Sequence, residues 1–153
     1  MIERVRAVLV TPNNELLLIR RQRSDQPVYW VLPGGHVEPT DRTREAALQR
    51  EVHEELAGTP RIHSLIQVID GTDDRQYIYL ARIAEWSFAD RNGPEFTEPG
   101  RGAYNIDTIP PTAEDLAEIN LKPDQLATFL INHLHGDIDL FTLPDLRDSR
   151  RPD

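Results

Sequence analysis

Across Leu32-Pro33-Gly34-Gly35 the apolar period of the chain changes from two to between three and four, and this constrains the fold more than any other feature. Before it, Val28-Tyr29-Trp30-Val31-Leu32 is a short run of β-branched and aromatic residues that reads as a strand. After it, from Thr43 to Leu56, Ala47, Leu48, Val52 and Leu56 recur at the spacing of one face of a helix, with Asp41 as the expected N-cap. A proline-stiffened glycine pair therefore joins a strand to an amphipathic helix. Upstream, Arg4 to Val10 and Glu15 to Arg21 are β-like runs around Thr11-Pro12-Asn13-Asn14, which predicts a hairpin. Downstream, Ile62 to Ile69, Gln76 to Ile83 and Ala103 to Ile109 predict three more strands. A short helix is expected over Ala113 to Ile119, and a longer one from Pro123 to about Leu134. Strands and helices mixed without regular β-α alternation indicate an α+β fold with a mixed sheet.

Composition narrows the function classes. With 17 Lys+Arg against 26 Asp+Glu the formal charge is -9, so bulk charge repels polyanions, and no nucleic-acid partner is expected. No apolar run approaches the roughly 18 residues that span a bilayer, and the N-terminus does not resemble a secretion signal. The expectation is a cytoplasmic protein with no membrane partner. The absence of cysteine removes disulfides, thiolate zinc sites and cysteine nucleophiles together. Any metal would be held by oxygen or imidazole.

The helix carries Arg50-Glu51-Val52-His53-Glu54-Glu55, the densest acidic cluster of the chain. At 100° per residue Glu51, Glu54 and Glu55 share an arc of about 100°. Like charges at this spacing repel by a few tenths of a kcal/mol per pair, roughly, unless something neutralises them. Arg50, one turn before Glu54, can hold one carboxylate, and a divalent cation is the simplest partner for the others. Oxygen ligands without sulfur select Mg²⁺, Mn²⁺ or Ca²⁺. A solvated acidic face is the plain alternative. What favours a site is the position of Gly34 and Gly35 directly ahead of the helix, where glycine allows positive φ and lets the backbone come close to a metal or a phosphate.

Leu-Pro-Gly-Gly-His-Val-Glu followed by Glu-Ala-Ala-Leu-Gln-Arg-Glu-Val-His-Glu-Glu-Leu resembles the signature box of the Nudix hydrolase family, G-x5-E-x7-R-E-U-x-E-E-x-G-U, where U is bulky and apolar. The resemblance is strongest over Trp30 to Gly58, and the element order from Arg4 to about Leu134 agrees with it. It implies an α/β/α sandwich with a mixed sheet and a loop-helix-loop metal site. It also implies Mg²⁺- or Mn²⁺-dependent hydrolysis of a nucleoside diphosphate linked to a group X, or of a nucleoside triphosphate. By the same resemblance Glu51 and Glu55 are the principal metal ligands, and Glu54 is a further ligand or the residue that activates water. Arg50 orients Glu51 or a neighbouring glutamate, a carbonyl of Gly34 or Gly35 completes the shell, and Val52 faces the core.

The chain departs from the box in three places. The interval from Gly35 to Arg50 is one residue longer, Asp41 stands where the first box glutamate is expected, and Ala57 stands where the box has its second glycine, with Gly58 following. An insertion before the helix leaves the Arg50 to Glu55 register intact, so metal binding is retained. Asp41 is a cap, an outer-shell group, or neither.

Other candidates lie outside the box. In related families a glutamate from a distant loop often completes the site, and Glu95 in the long polar loop is the first candidate for that base, with Glu98 second. Arg20 and Arg21 are candidates for substrate phosphate or base, against the alternative of a basic hairpin end in water. Of Tyr29 and Trp30, one is expected in the core and one is free to stack on a base. The hydrolase is expected over residues 1–135, with 136–153 as a tail carrying one amphipathic turn around Ile138 to Phe141. The partner is a small-molecule nucleotide substrate. A homodimer is conceivable through Tyr77, Tyr79 and the C-terminal segment. A non-catalytic nucleotide-binding or regulatory module on the same fold is the competing function. An isomerase on this fold is disfavoured because it relies on cysteine.

Overall fold

The computed structural model describes residues 1–87, 103–136 and 138–147. Its strands are β1 (Ile2–Val10), β2 (Leu16–Gln22), β3 (Tyr29–Val31), β4 (Gly34–His36), β5 (Arg61–Asp70), β6 (Asp74–Arg82) and β7 (Ala103–Ile109), and its helices are α1 (Arg44–Leu56), α2 (Ala113–Ala117) and α3 (Asp124–Leu134).

The strands join in one splayed mixed sheet of order β3-β2-β1-β6-β5, with β4 on β1 and β7 on β2. β1 runs parallel to β6 along its whole length, from Ile2 opposite Asp74 to Val10 opposite Arg82. Its other edge is shared. Leu9 and Val10 pair with β2 through the hairpin, whereas Arg4, Val5 and Arg6 pair with His36, Gly35 and Gly34 of β4. The hairpin turn closes as expected, with Asn14 at φ 58° and its N–H donating to the Thr11 carbonyl. β2 in turn carries β3 and β7 on its two sides.

Strand alternation divides the interior into two cores. On one face Val5, Ala7, Leu9, Leu17, Tyr77 and Tyr79 pack under Ala47, Leu48, Val52 and Leu56 of α1. On the other, Val8, Leu18, Ile78 and Leu80 pack under Leu116 of α2 and Leu126, Leu130 and Leu134 of α3. This is the expected sandwich. α2 is shorter than expected, ending at Ala117, and Pro123 caps α3 instead of entering its first turn. Tyr77 and Tyr79 correct the dimer reading. Each is 2% exposed inside the α1 core, their hydroxyls donating to Glu3 and Glu45, so neither offers a surface to a second copy.

After α3 a single 3-10 turn, Leu140–Thr142, buries Leu140 against the α3 side. The segment then runs along β5, the edge strand. The Leu146 N–H donates to the Leu65 carbonyl and the Leu65 N–H donates to the Asp145 carboxylate. These bonds cover a stretch of edge that would otherwise present unpaired backbone groups.

Candidate functional site

α1 is capped two residues later than its sequence suggests. Its N-cap is Thr43, whose hydroxyl accepts from the Ala46 N–H at 2.9 Å, and not Asp41. Asp41 has another task. Its carboxylate takes a two-pronged bond from Arg50, Nε to Oδ1 at 3.0 Å and Nη2 to Oδ2 at 2.9 Å, and it also accepts from the Glu38 N–H at 2.7 Å. The Arg50 guanidinium beside it holds the Asp41 carboxyl below the usual carboxylate range, and Asp41 in turn pushes Arg50 further up. The side chain is 7% exposed, so the added residue before the helix has placed a carboxylate inside the site.

Arg50 is the hub. Besides Asp41 it donates to the His36 carbonyl at 3.0 Å, to Glu51 at 3.0 Å and to Glu54 at 3.5 Å. One guanidinium thus ties the β4 backbone to two carboxylates of α1, as planar multi-donor geometry allows and a lysine would not. Glu55 turns inward. It is 6% exposed, and its Oε1 accepts the Gly34 N–H at 2.7 Å. Glu51 lies over Gly35, where a Cβ would come within 2.5 Å of its carboxylate. Gly34, at φ 150°, has no room for a side chain either, since a Cβ would overlap the Val5 carbonyl oxygen. The two glycines are required here for different reasons, the first for backbone conformation and approach to β1, the second to seat Glu51.

The structure therefore brings together Gly34, Gly35, Arg50, Glu51, Glu54 and Glu55. Val52 is fully buried under the helix and His53 is exposed. Among the described residues no three acidic or histidine side chains converge at metal-binding distance, and Arg50 is what lies between Glu51 and Glu54. The donor set is nonetheless all oxygen, close-set and glycine-seated, which suits a hard divalent cation.

Arg20 and Arg21 stand apart, on β2. Arg20 approaches Asp107 at 3.6 Å, and Arg21 stacks over the Tyr104 ring at 4.3 Å and near Tyr29 at 5.8 Å. Trp30 packs on the α3-side core and its indole N–H donates to Asp107 at 2.8 Å, whereas Tyr29 shares the opposite face with Arg21. Glu95 and Glu98 lie outside the described residues. Arg6 was not singled out from sequence. It sits half-buried in the middle of β1 and lines a cavity, and burial pulls it below its ordinary range while Glu55 and Glu51 act in the opposite sense. The signal available was a charged residue alternating with Val5 and Ala7 in a strand covered on both faces.

A NUDIX-domain family model matches residues 1–128, which takes in every element from β1 through α2 and the start of α3. The chain belongs to the NUDIX family. It is 33% identical over 75 residues to human diphosphoinositol polyphosphate phosphohydrolase 3-beta, an alignment covering 47% of this chain and 44% of that protein. It is 34% identical over 74 residues to rat diphosphoinositol polyphosphate phosphohydrolase 2, covering 47% and 40%. The chain thus spans less than half the length of these curated relatives. Among solved structures, a NUDIX hydrolase from Nitrosomonas europaea superposes with a TM-score of 0.65 at 16% identity, covering 93% of this chain and 95% of that one. An ADP-ribose pyrophosphatase from Streptococcus suis superposes at 0.57 and 17%, covering 89% and 93%. At these identities the structures establish the fold. No described helix is long and apolar enough to cross a membrane.

Proposed function

We propose that this NUDIX protein hydrolyses the pyrophosphate bond of a nucleoside diphosphate linked to a second group, or of a nucleoside triphosphate. The observation that carries the reading is that one face of α1 carries Glu51 over Gly35, Glu55 bonded to the Gly34 N–H, and Arg50 bonded to both Glu51 and Glu54. The relatives named as phosphohydrolases support the same class of bond.

Glu51, Glu55 and a Gly35 carbonyl would hold Mg²⁺ or Mn²⁺, which when bound supplies charge neutralisation for phosphate and lowers the pKa of water. The chain's own residues do the rest. Hydrolysis forms a bond from a water oxygen to phosphorus, breaks the P–O bond to the bridging oxygen, which leaves with its electron pair, and requires a base for the water proton. Glu54 suits that base best, because its side chain is 29% exposed against 12% for Glu51. Asp41 fixes the Arg50 plane and Arg50 fixes the Glu51 and Glu54 carboxylates, so both are positioning residues.

The test is turnover of nucleoside diphosphate derivatives, nucleoside triphosphates and a diphosphoinositol polyphosphate with Mg²⁺ or Mn²⁺, beside Glu54→Gln and Glu55→Gln. We expect both variants to lose about 10²- to 10⁴-fold in kcat/KM while folding normally. Equal turnover in wild type and both variants overturns the site. No turnover of any of these compounds leaves the fold serving a binding module.

A further inference from the structure

At the other end of β1 from the glycine bend lies a cavity of about 360 Å³, between the turn after β1, the connection from α1 to β5 and the end of β6. Gly34 is the register partner of Arg6 and Arg82 that of Val10, so about 13 Å of strand separates this cavity from the acidic site. Val10 and Ile83 supply apolar wall, and the polar groups are Thr11, Thr59, Arg61 and Arg82.

Arg61 and Arg82 stand directly opposite each other in the antiparallel β5–β6 ladder, on one face of the sheet. Side chains so placed have Cβ atoms roughly 5 Å apart, and like charges there repel. Among the described residues neither guanidinium meets a carboxylate, although Arg4, Arg44, Arg50, Arg75 and Arg147 each do, in a chain with 26 Asp+Glu against 17 Lys+Arg. Arg82 is held by the Phe141 ring, whose centroid lies 3.9 Å from the guanidinium carbon. The ring covers one face of the group and leaves its N–H edge to donate. Thr11 is 3% exposed and its hydroxyl oxygen accepts the Glu15 N–H at 3.2 Å, so its own proton is still available to an acceptor. A cation would be repelled here, and a neutral ligand would leave the two arginines repelling each other. A doubly charged oxyanion removes that repulsion, and its tetrahedral oxygens can take donors from both guanidiniums and from a hydroxyl at once.

We propose that Arg61 and Arg82, with the Thr11 hydroxyl, form a second ligand site on this chain, one that takes a phosphate dianion, free or at the end of a small molecule. The cavity is within the roughly 300–1,000 Å³ of small-molecule sites, so an organic group esterified to the phosphate has room against Val10 and Ile83. The site goes beyond the hydrolase reading and does not depend on it, since it needs neither the α1 carboxylates nor a metal.

The test is ¹H–¹⁵N NMR of the full chain in EDTA at low, constant ionic strength, titrated with inorganic phosphate and separately with glycerol 3-phosphate. EDTA keeps a metal at the acidic site from recruiting phosphate. Saturable shifts are expected at the Arg61 and Arg82 Nε–H signals and at the Thr11 and Thr59 amides. Binding should weaken at least about tenfold in Arg61→Met and in Arg82→Met, and be partly kept in Arg61→Lys. Tighter binding of glycerol 3-phosphate assigns the site to a phosphate ester, and equal binding assigns it to the free ion. In phosphate-free buffer Arg61→Met should unfold no earlier than wild type, because it removes a like charge. Absence of saturable shifts in the wild-type chain overturns the proposal whether or not the variants fold. Unchanged affinity in Arg61→Met overturns it too, as does earlier unfolding of that variant without phosphate, which would show that Arg61 serves the chain's own packing instead of a ligand.

Discussion

On the α1 face of the sheet the side chains that matter are placed by hydrogen bonds. Glu55 is fixed by the Gly34 N–H, Arg50 by Asp41 and the His36 carbonyl, and Glu51 by the gap above Gly35. On the α3 face Leu126, Leu130 and Leu134 are placed by shape, filling space over Val8, Leu18 and Ile78 with no polar constraint. Directional bonds fix a geometry to a fraction of an ångström and are lost in one step when a donor or acceptor changes. Apolar packing tolerates exchange of similar volumes and carries more of the stability. The chemistry therefore sits where precision is high, and the stabilising bulk sits across the sheet.

Truncating the α3 face should separate the two most sharply. Leu130→Ala removes a fully buried side chain and is expected to cost about 2–5 kcal/mol in a urea titration, with kcat of the folded fraction near wild type. A comparable loss of kcat would mean that the two faces are coupled more tightly than their contacts suggest. The complementary change is Asp41→Asn, which keeps the shape and removes the charge. Activity should fall about 10- to 100-fold, as for other residues that orient site ligands, with unfolding shifted by less than Leu130→Ala shifts it. Asp41→Glu should restore part of the activity, which a purely structural role would not give. The smallest effect concerns the helix end. Ala57 caps α1 at φ 52°, ψ 33°, its N–H donating to the His53 carbonyl, in the left-handed region that disfavours a Cβ. Ala57→Gly should stabilise the chain by up to about 1 kcal/mol by thermal unfolding and leave activity unchanged, and destabilisation would show that the cap is not strained.

The glycine bend, the helix after it and the sharing of one face by Glu51, Glu54 and Glu55 were legible because each depends on local rules: helical periodicity, turn chemistry and the special backbone of glycine. The β1–β2 hairpin and the positions of β5 and β6 were legible for the same reason. Asp41 was not. Its cap-like position in sequence gave no sign that Arg50, nine residues on, would hold it and leave the cap to Thr43. Tyr77 and Tyr79 read as a surface patch until strand pairing put them beneath α1.

By itself the amino-acid order determined which residues could carry the chemistry and on which helical face, since those properties are set within a few residues of chain. Only the tertiary structure decided that β6 would run between β1 and β5, and so that Arg61 and Arg82 would stand opposite each other at one cavity beside Thr11. Residues 11, 61 and 82 share no local rule. They meet because burying both faces of one sheet leaves few ways to close it, and that closure sets what a charged side chain at a strand end can reach.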